Sequence, residues 1–416
     1  MLAQHSLQSV RQHIAAAIDA EADALRQINK DIHSHPETAY EEVYAHDTLA
    51  TFLESRGWSV TRHAYGLGTS FEAELAPAHG TGPLVIFCAE YDALPGIGHG
   101  CGHNLIPTAS LAAFLGLAQT VRELDVDSPI RVRILGTPAE EGGGGKIKLI
   151  DAGAFKDPEI VAAIKAHPTS VHHLPAGYAG MAGCPMVASH KLRVEYRGRG
   201  AHAGGDPWNG RNALDAAVGA YNNIAMLRQQ IQPDERIHGI IEVAGTAPNV
   251  IPEYTRMNWN VRSSSAARAD ALLSRTKGCF EAAALATGCE VNYIMAPTYK
   301  DVVINDTFCE IYTAEMEALG RHVLVRHPTI ATTSTDMVRL MAVGIGFLRG
   351  VHHAGNVSHE VPSFHGVFGI PTPPNIPGHH PAFAKAAAAD EANAEAILAA
   401  KAMAMLAWTV LATKGI

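Results

Sequence analysis

Short apolar runs alternate with stretches of helical periodicity through the first part of the chain. The runs at 84–87, 130–135 and 160–166 have the length of strands and are mainly apolar, as in strands that are buried on both faces. Between them, 108–124 and 145–152 place apolar residues at helical spacing. Strands that alternate with helices in this way predict an α/β fold with a mostly parallel sheet and helices on both faces.

The pattern changes near residue 189. Polar and apolar residues alternate from 191 to 197, which is typical of a half-exposed strand. Further strands and two helices are predicted in this region, at 212–230, 240–243, 256–261, 266–287 and 290–295. The α/β alternation then resumes. We therefore predict a catalytic domain formed by 1–188 and 300–416 and divided by an inserted α+β domain at 189–299.

Composition narrows the possible classes of function. The chain has 416 residues, of which 47% are hydrophobic, and this is enough to fill two cores. A formal net charge of −9, with scattered lysines and arginines, argues against a nucleic-acid partner. The apolar tail at 396–413 is rich in alanine and contains Lys401, which predicts a packed helix and no membrane partner. Cysteines without disulfide-like spacing, and a start without a secretory leader, lead us to expect a cytoplasmic protein.

Residues with metal-binding side chains follow each of the three apolar runs. In chain order they are Cys101 and His103, then Glu140 and Glu141, then His167. Singly, each has an ordinary explanation, because buried cysteines pack inertly, acidic pairs open helices and histidines fill cores. Three consecutive strand ends of this kind favour a ligand site at the carboxyl edge of the sheet. Adjacent glutamates point in different directions, so one can bind a metal while its neighbour faces the water that the metal polarises.

The same residues resemble a known family. Cys-Gly-His-Asn at 101–104, Glu-Glu at 140–141, His167 and His-His-Pro-Ala-Phe at 379–383 occur in the order found in a family of dinuclear metallohydrolases. That family includes aminoacylases, glutamate carboxypeptidases and plant auxin-conjugate hydrolases, and the likeness is to its amidohydrolase branch. Segments 101–104 and 334–337 are most similar to the group of aminobenzoyl-glutamate hydrolase and β-alanyl-lysine dipeptidase-like enzymes.

The resemblance implies two divalent metal ions per chain, either zinc or else manganese or cobalt. It implies that Cys101 bridges the ions where other relatives use aspartate, and a thiolate suits this position because metal binding favours thiol deprotonation. The terminal ligands would be His103, Glu141, His167 and His379. Asp92 matches an acid that orients the cluster from behind. Glu90 replaces a histidine ligand of peptidase relatives, and Asn104 replaces a usual aspartate, as in the dipeptidase-like group.

The resemblance also implies the chemistry. Glu140 would take a proton from the attacking water and deliver it to the leaving amine. His202, on the inserted domain of a partner subunit, would stabilise the tetrahedral oxyanion. Asn249 and Arg262 match residues that hold the substrate's carboxylate, although a turn-forming Asn and a solvated Arg explain them nearly as well. The implied assembly is a homodimer through the inserted domain, with 191–197 as the strand edge we expect to pair.

One interval departs from the family pattern. Similar proteins run directly from a segment like 334–337 into one like 355–362, whereas 338–354 intervene here. A retained in-frame intron is one explanation. The codon of Val338 could supply the GT start of an intron, but the codon of Ala354 cannot supply its AG end. We therefore interpret the interval as a real loop or a peculiarity of this sequence. If it displaces Asp336 or His359, activity would be weakened.

Together these observations predict a metal-dependent hydrolase of the amide bond in an N-acyl or N-aminoacyl amino acid, acting on a small-molecule substrate. A dipeptidase specific for free-amine dipeptides is the alternative, and only recognition of the amine would distinguish the two. A catalytically silent binding or regulatory relative is an alternative of another class. The complete set of ligands together with Glu140 argues against silence.

Overall fold

The computed structural model describes residues 5–77, 81–124, 126, 129–328, 334–335, 337 and 356–413. The interval 338–354 and Asp336 lie outside the described residues. The chain divides into two compact units. Unit 1 comprises Met1–Pro185, Val302–Ile330 and Thr335–Ile416, and unit 2 comprises Met186–Asp301 and Ala331–Ser334. The predicted inserted domain, 189–299, falls within the range of unit 2.

The described residues form helices and strands that we number in chain order. The helices are α1 Leu7–Ala20, α2 Ala22–Ser34, α3 Val43–Ser55, α4 Leu105–Glu123, α5 Gly145–Asp151, α6 Ala213–Leu227, α7 Ala266–Thr287, α8 Asp306–Ala318, α9 Val357–Glu360, α10 Pro381–Ala387 and α11 Asp390–Ala412. The strands are β1 Val60–Arg62, β2 Phe71–Leu75, β3 Leu84–Ala89, β4 Arg131–Gly136, β5 Ile160–Ser170, β6 Gly180–Gly183, β7 Ala188–Arg197, β8 Arg236–Val243, β9 Tyr254–Ser263, β10 Glu290–Met295, β11 Val323–Arg326 and β12 Ser363–Ile370.

The described strands of unit 1 form an eight-stranded sheet in the order β1-β2-β4-β3-β5-β12-β6-β11. Its central strands β4, β3, β5 and β12 run parallel, and β6 and β11 are also parallel to each other. Antiparallel pairing occurs between β1, β2 and β4 and between β12 and β6. The prediction of an α/β fold with a mostly parallel sheet is confirmed.

Strand β3 shows why an unbroken apolar run folds in this way. All six of its residues are fully buried. Val85, Phe87 and Ala89 share a core with helices α4 and α11, whereas Leu84 and Ile86 pack into a second core with α5. Because successive side chains of a strand point to opposite faces, a sheet covered by helices on both sides needs apolar residues at every position.

Helices α4 and α11 are long and apolar enough, by length and composition alone, to cross a membrane. Most of their residues are buried inside unit 1, including Phe114 in α4 and Leu406 and Trp408 in α11. The two helices pack against each other and against the sheet. A core helix of a folded domain has this composition, so the apolar tail is accounted for by packing.

Unit 2 contains a four-stranded antiparallel sheet in the order β10-β7-β9-β8, with α6 and α7 packed on it. Along β9, buried residues alternate with half-buried ones, and Met257, Trp259 and Val261 face the core. The α+β character of the insertion is confirmed.

The structure corrects the expectation that 191–197 forms a strand edge. These residues belong to β7, which pairs with β9 on one side and with β10 on the other. The edges of the described sheet are β8 and β10. Polar and apolar alternation reports that one face of a strand is exposed, and it carries no information about whether the strand's backbone is paired.

Candidate metal centre

Cys101 and His103 lie in the loop between β3 and α4, at the carboxyl end of the strand. Gly102 between them has a φ of 78°, and a Cβ there would lie 2.5 Å from Cγ of Pro168 on β5. Glycine therefore permits the loop to press against β5. As a result Sγ of Cys101 lies 3.4 Å from Nε2 of His167, the residue preceding that proline.

Glu140 and Glu141 lie in the turn between β4 and α5, so they reach the same edge of the sheet. Oε1 of Glu141 lies 3.4 Å from Nε2 of His379 and 3.9 Å from Nε2 of His103. His379 comes from the loop before α10 and has a φ of 59°, in the left-handed region. The carboxyl ends of β3 and β4 and the loop after β12 thus converge.

Two groups of metal-binding side chains share Cys101. One consists of Cys101, His103 and His167, and the other of Cys101, Glu141 and His379, and the ligand atoms within each group lie within 4.8 Å of one another. Every ligand predicted from the sequence is therefore brought together, with the thiol between the two groups. Glu140 forms a third group with His103 and Glu141, which puts it beside the centre.

The donor set fits two divalent metal ions. It combines a thiol, three imidazoles and a carboxylate, which are the donors that zinc and other first-row metals take. His103 Nε2 and Glu141 Oε1 are buried and make no hydrogen bond, although each lies near other ligand atoms. Buried polar atoms normally have hydrogen-bond partners. Two buried atoms without one, both facing other ligand atoms, are placed as the ligands of a metal ion would be.

Asp92 orients two members of the centre at once. Its Oδ1 accepts a hydrogen bond from Nδ1 of His103 at 3.2 Å, and its Oδ2 accepts one from the backbone N–H of Glu141 at 2.8 Å. Because Nδ1 of His103 then carries its proton, Nε2 presents a lone pair to the centre. The predicted role of Asp92 behind the cluster agrees with these contacts.

The contacts within the centre favour the anionic forms of Cys101 and Glu141. Burial acts to raise the pKa of the Cys101 thiol, but His167 and His103 outweigh it and lower this pKa to about 6. Burial likewise acts to raise the pKa of Glu141, but the neighbouring imidazoles of His379 and His103 outweigh it and lower this pKa to about 2. Contacts with Cys101 and Glu141 raise the pKa of His379 to about 10, so a metal ion that binds this imidazole would displace a proton. Thiolate and carboxylate are the forms that bind a cation.

Sequence reasoning missed a buried charge cluster beneath the centre. Glu90, Lys146 and Lys165 are all fully buried, and the two lysine Nζ atoms contact Oε1 of Glu90, with Lys146 at 2.5 Å. Burial acts to raise the pKa of Glu90, yet the two ammonium groups lower it well below its ordinary value. Its other oxygen lies 3.9 Å from Nε2 of His103. The available signal was a lysine at 165 within the otherwise apolar run 160–166 of β5.

In unit 2, His202 and Asn249 line one groove of about 490 Å³. The backbone N–H groups of Gly204 and Gly205 donate to Nδ1 of His202 at 3.1 and 2.9 Å. Nδ1 is therefore the acceptor, and the neutral ring carries its proton on Nε2. His202 thus presents an N–H donor, as stabilisation of an oxyanion requires.

Arg262 does not join this groove. It lies near the end of β9, where it pairs in register with Ser189 and Arg236, whereas Asn249 precedes the beginning of β9 at Tyr254. At the rise of a strand, Tyr254 and Arg262 are about 27 Å apart. Within one chain the structure therefore does not bring together the two residues proposed to hold the substrate's carboxylate.

Comparison with known proteins gives concordant results. The sequence model of peptidase family M20/M25/M40 matches residues 86–401. The chain is 40% identical to Xaa-Arg dipeptidase of Mus musculus, over 97% of this chain and 90% of that protein. It is 30% identical to one of the subunits of p-aminobenzoyl-glutamate hydrolase of Escherichia coli K12, over 68% and 59%. A dinuclear metal-binding M20 peptidase from Bacillus subtilis has the same fold, with a TM-score of 0.67 and 21% identity over 95% of this chain and 99% of that one.

Proposed function

The chain belongs to peptidase family M20/M25/M40, and we propose that it is a dipeptidase that hydrolyses dipeptides ending in a basic residue, with Glu140 as the general base. Like the other members of this family, it is a metal-dependent hydrolase of amide or peptide bonds. One observation carries the proposal of a metal-dependent hydrolase with Glu140 as its base. Cys101 is common to two ligand groups, and Glu140 lies beside one member of each group, His103 and Glu141.

The ligand residues divide naturally between two sites. Cys101, His103 and His167 would hold one ion, and Cys101, Glu141 and His379 the other. When bound, such a pair of ions acts as a Lewis acid toward a water molecule and the scissile carbonyl.

Glu140 is suited to move the proton between water and the leaving nitrogen. It is almost fully buried and lies within the group formed with His103 and Glu141. Its carboxylate takes a proton as the water oxygen bonds to the carbonyl carbon. It then returns that proton to nitrogen as the C–N bond breaks, which leaves a carboxylic acid and an amine.

His202 would act from a partner subunit, in a homodimer formed through unit 2. Several apolar side chains on α6 and β8 support this assembly because they are exposed, among them Val218, Tyr221, Met226 and Ile240. Strand β8 is also an edge of the described sheet. Exposed apolar surface beside a strand edge is typical of a surface that pairs across a two-fold axis.

The separation of Arg262 from His202 and Asn249 also supports a site built by two chains. The backbone of a dipeptide spans about 7 Å at most. The two ends of β9 are about 27 Å apart by the rise of a strand, so residues at both ends of one copy cannot hold the same substrate carboxylate. A site that uses all three residues therefore requires Arg262 from one subunit and His202 with Asn249 from the other.

A carboxylate in the groove favours a basic substrate. Glu253 lines the groove together with His202 and Asn249, and it is exposed. A guanidinium or ammonium group pairs well with such a carboxylate. This agrees with the name of the relative that shares 40% identity, Xaa-Arg dipeptidase.

Hydrolysis of N-acyl amino acids is the second candidate, and the identity to the p-aminobenzoyl-glutamate hydrolase chain favours it. An acidic leaving residue such as glutamate would face repulsion from Glu253.

We further propose zinc as the first candidate metal, with manganese and cobalt as alternatives, because thiolate and imidazole donors suit zinc. A cytoplasmic location is supported by six cysteines that form no disulfide among the described residues.

A substrate panel tests the proposed function. Purified protein loaded with zinc, manganese or cobalt is assayed against matched dipeptides that end in Arg, Lys, Leu or Glu, and against their N-acetylated forms. We expect free-amine dipeptides ending in Arg or Lys to give the highest kcat/KM. Preference for N-acetylated or Glu-terminated substrates would favour the second candidate instead.

A further inference from the structure

We propose that Glu42 is a positioning residue for Glu140, an inference that rests on the proposed role of Glu140 as general base. Glu42 immediately precedes α3 and is fully buried. Its Oε1 accepts a hydrogen bond from the backbone N–H of Ala139 at 2.8 Å, and its Oε2 accepts one from Oγ1 of Thr69, also at 2.8 Å. The carboxylate therefore ties the residue directly before Glu140 to a distant part of the chain.

Ala139 has a backbone conformation that requires hydrogen bonds from its surroundings to hold it. Its φ is 59°, in the left-handed region that residues with a Cβ seldom adopt. Glu42 holds its N–H, and the N–H of Gly145 holds its carbonyl oxygen at 3.1 Å. A strained conformation persists only where its surroundings determine it, and it clusters at functional sites. The direction in which the chain leaves Ala139 sets the position of Glu140.

The residue on the other side of Glu140 is anchored in the same manner. The backbone N–H of Glu141 donates to Oδ2 of Asp92 at 2.8 Å. Glu140 thus lies between two backbone amides, each held by a buried carboxylate from another segment. Asp92 belongs to the metal centre, whereas Glu42 makes no contact with a ligand side chain in any hydrogen bond described for it.

A second contact from the same linker holds the far end of the turn. Oη of Tyr40 donates to the carbonyl oxygen of Gly143 at 2.5 Å. Tyr40 and Glu42, both in the segment between α2 and α3, therefore bracket residues 139–143. The hydrogen bonds from this one segment therefore fix the turn on both sides of Glu140 and Glu141.

Correct placement of a base matters because proton transfer requires hydrogen-bond reach. A misplacement of about 1 Å, even one caused from a distance, can reduce turnover about 100-fold. Loss of the Ala139 tie is expected to act in this way on kcat. The backbone N–H of Glu141 keeps its own hydrogen bond to Asp92 in such a variant, so metal content and KM should change little.

Three variants separate positioning from stability. Glu42→Ala removes both hydrogen bonds, and we expect kcat to fall about 10- to 100-fold with two ions still bound. Glu42→Gln keeps an oxygen for Ala139 and offers an N–H to Thr69, so its kcat should stay within about threefold of wild type. Thr69→Val is the matched control, since it removes one hydrogen bond of Glu42 and leaves the Ala139 tie. It should lose stability without losing kcat.

If Glu42→Ala does not fold, Glu42→Asp serves the same purpose. It withdraws the acceptor by one methylene group while keeping a buried carboxylate, so kcat should fall about tenfold with Tm close to that of wild type. A wild-type kcat in folded Glu42→Ala or Glu42→Asp would overturn the proposal. So would equal losses of kcat in Glu42→Ala and Thr69→Val, because stability alone would then explain both.

A double-mutant cycle shows whether Glu42 acts through Glu140. If it does, Glu42→Ala combined with Glu140→Gln should have the same kcat as Glu140→Gln alone. Multiplied losses would overturn the positioning role. If Glu140→Gln itself kept wild-type turnover, the proposed function would fail, and the positioning role with it. Failure of the positioning role alone has a different signature, in which Glu140→Gln is inactive and Glu42→Ala is fully active.

Discussion

Sγ of Cys101 lies 3.4 Å from Nε2 of His167, although 66 positions separate them in the sequence. The two residues meet because β3 and β5 are parallel neighbours, so the loop after one strand lies beside the end of the other. This pair belongs to one ligand group, and Cys101 also belongs to a second group with Glu141 and His379. A single thiol thereby joins two candidate metal sites.

Replacing Glu140 should separate chemistry from metal binding. Glu140→Gln removes a proton carrier but no ligand, so we expect two bound ions and a kcat lower by about 10²- to 10⁴-fold. Metal content and steady-state kinetics measure both quantities. Glu141→Gln is the control and should lose metal. Loss of metal from Glu140→Gln instead would mean that the roles of the two glutamates are exchanged.

Mixing two inactive variants tests whether His202 acts on the neighbouring subunit. His202→Ala and Glu140→Gln chains should each be inactive as homodimers. Randomly paired heterodimers have one site with both residues intact, so the mixture should recover about a quarter of wild-type activity. Heterodimers verified by differential tagging that stay inactive would argue against this arrangement, as would a fully active monomer.

The carboxylate of Glu253 should set the preference for a basic residue. In Glu253→Gln we expect KM for Xaa-Arg dipeptides to rise about tenfold, the range of a lost charge-assisted hydrogen bond, with little change for Xaa-Leu dipeptides. Kinetics on both substrates give the comparison. Asp206→Asn, a nearby carboxylate that instead binds the backbone of His202, is a control for general charge effects. Parallel losses on the two substrates would contradict a role in specificity.

Burial of Glu42 should make stability depend on pH. Burial raises the pKa of Glu42 from an ordinary value of 4.5 to about 7, so the folded state holds this proton more tightly than the unfolded state does. The stabilisation that this bound proton gives the folded state is complete below about pH 4.5 and is lost as the pH rises through 7. As the pH rises across this range, wild type should therefore lose up to about 3 kcal/mol of unfolding free energy relative to Glu42→Gln, whose side chain does not titrate. Urea unfolding at several pH values measures it, and a pH-independent difference would contradict the shift.

The sequence predicted those parts of the fold in which burial leaves a periodic pattern. Strands β3, β4 and β5 were predictable because both faces of the sheet are covered, which favours mainly apolar runs. Strand pairing was not predictable, since the alternation in β7 reports one exposed face and does not show that the strand lies between β9 and β10. A strand's neighbours are chosen by distant segments that its own residues do not report.

The candidate site divides in the same way. Cys101, His103 and Glu141 were predictable because they lie in the loops that follow buried strands and match a family pattern. The burial of Lys165 was not, because it depends on a partner, Glu90, that lies 75 positions away. The position of Arg262 relative to Asn249 likewise required the register of β9.

Metal content measured on the purified protein and on single-ligand variants tests the central claim most directly. We expect two divalent ions per chain in wild type and in the control Cys184→Ala, whose cysteine is buried but in neither ligand group. His379→Ala should keep one ion, held by Cys101, His103 and His167, and Cys101→Ala should bind neither tightly. Two ions in Cys101→Ala, or no more than one in wild type, would contradict a dinuclear centre bridged by this thiol.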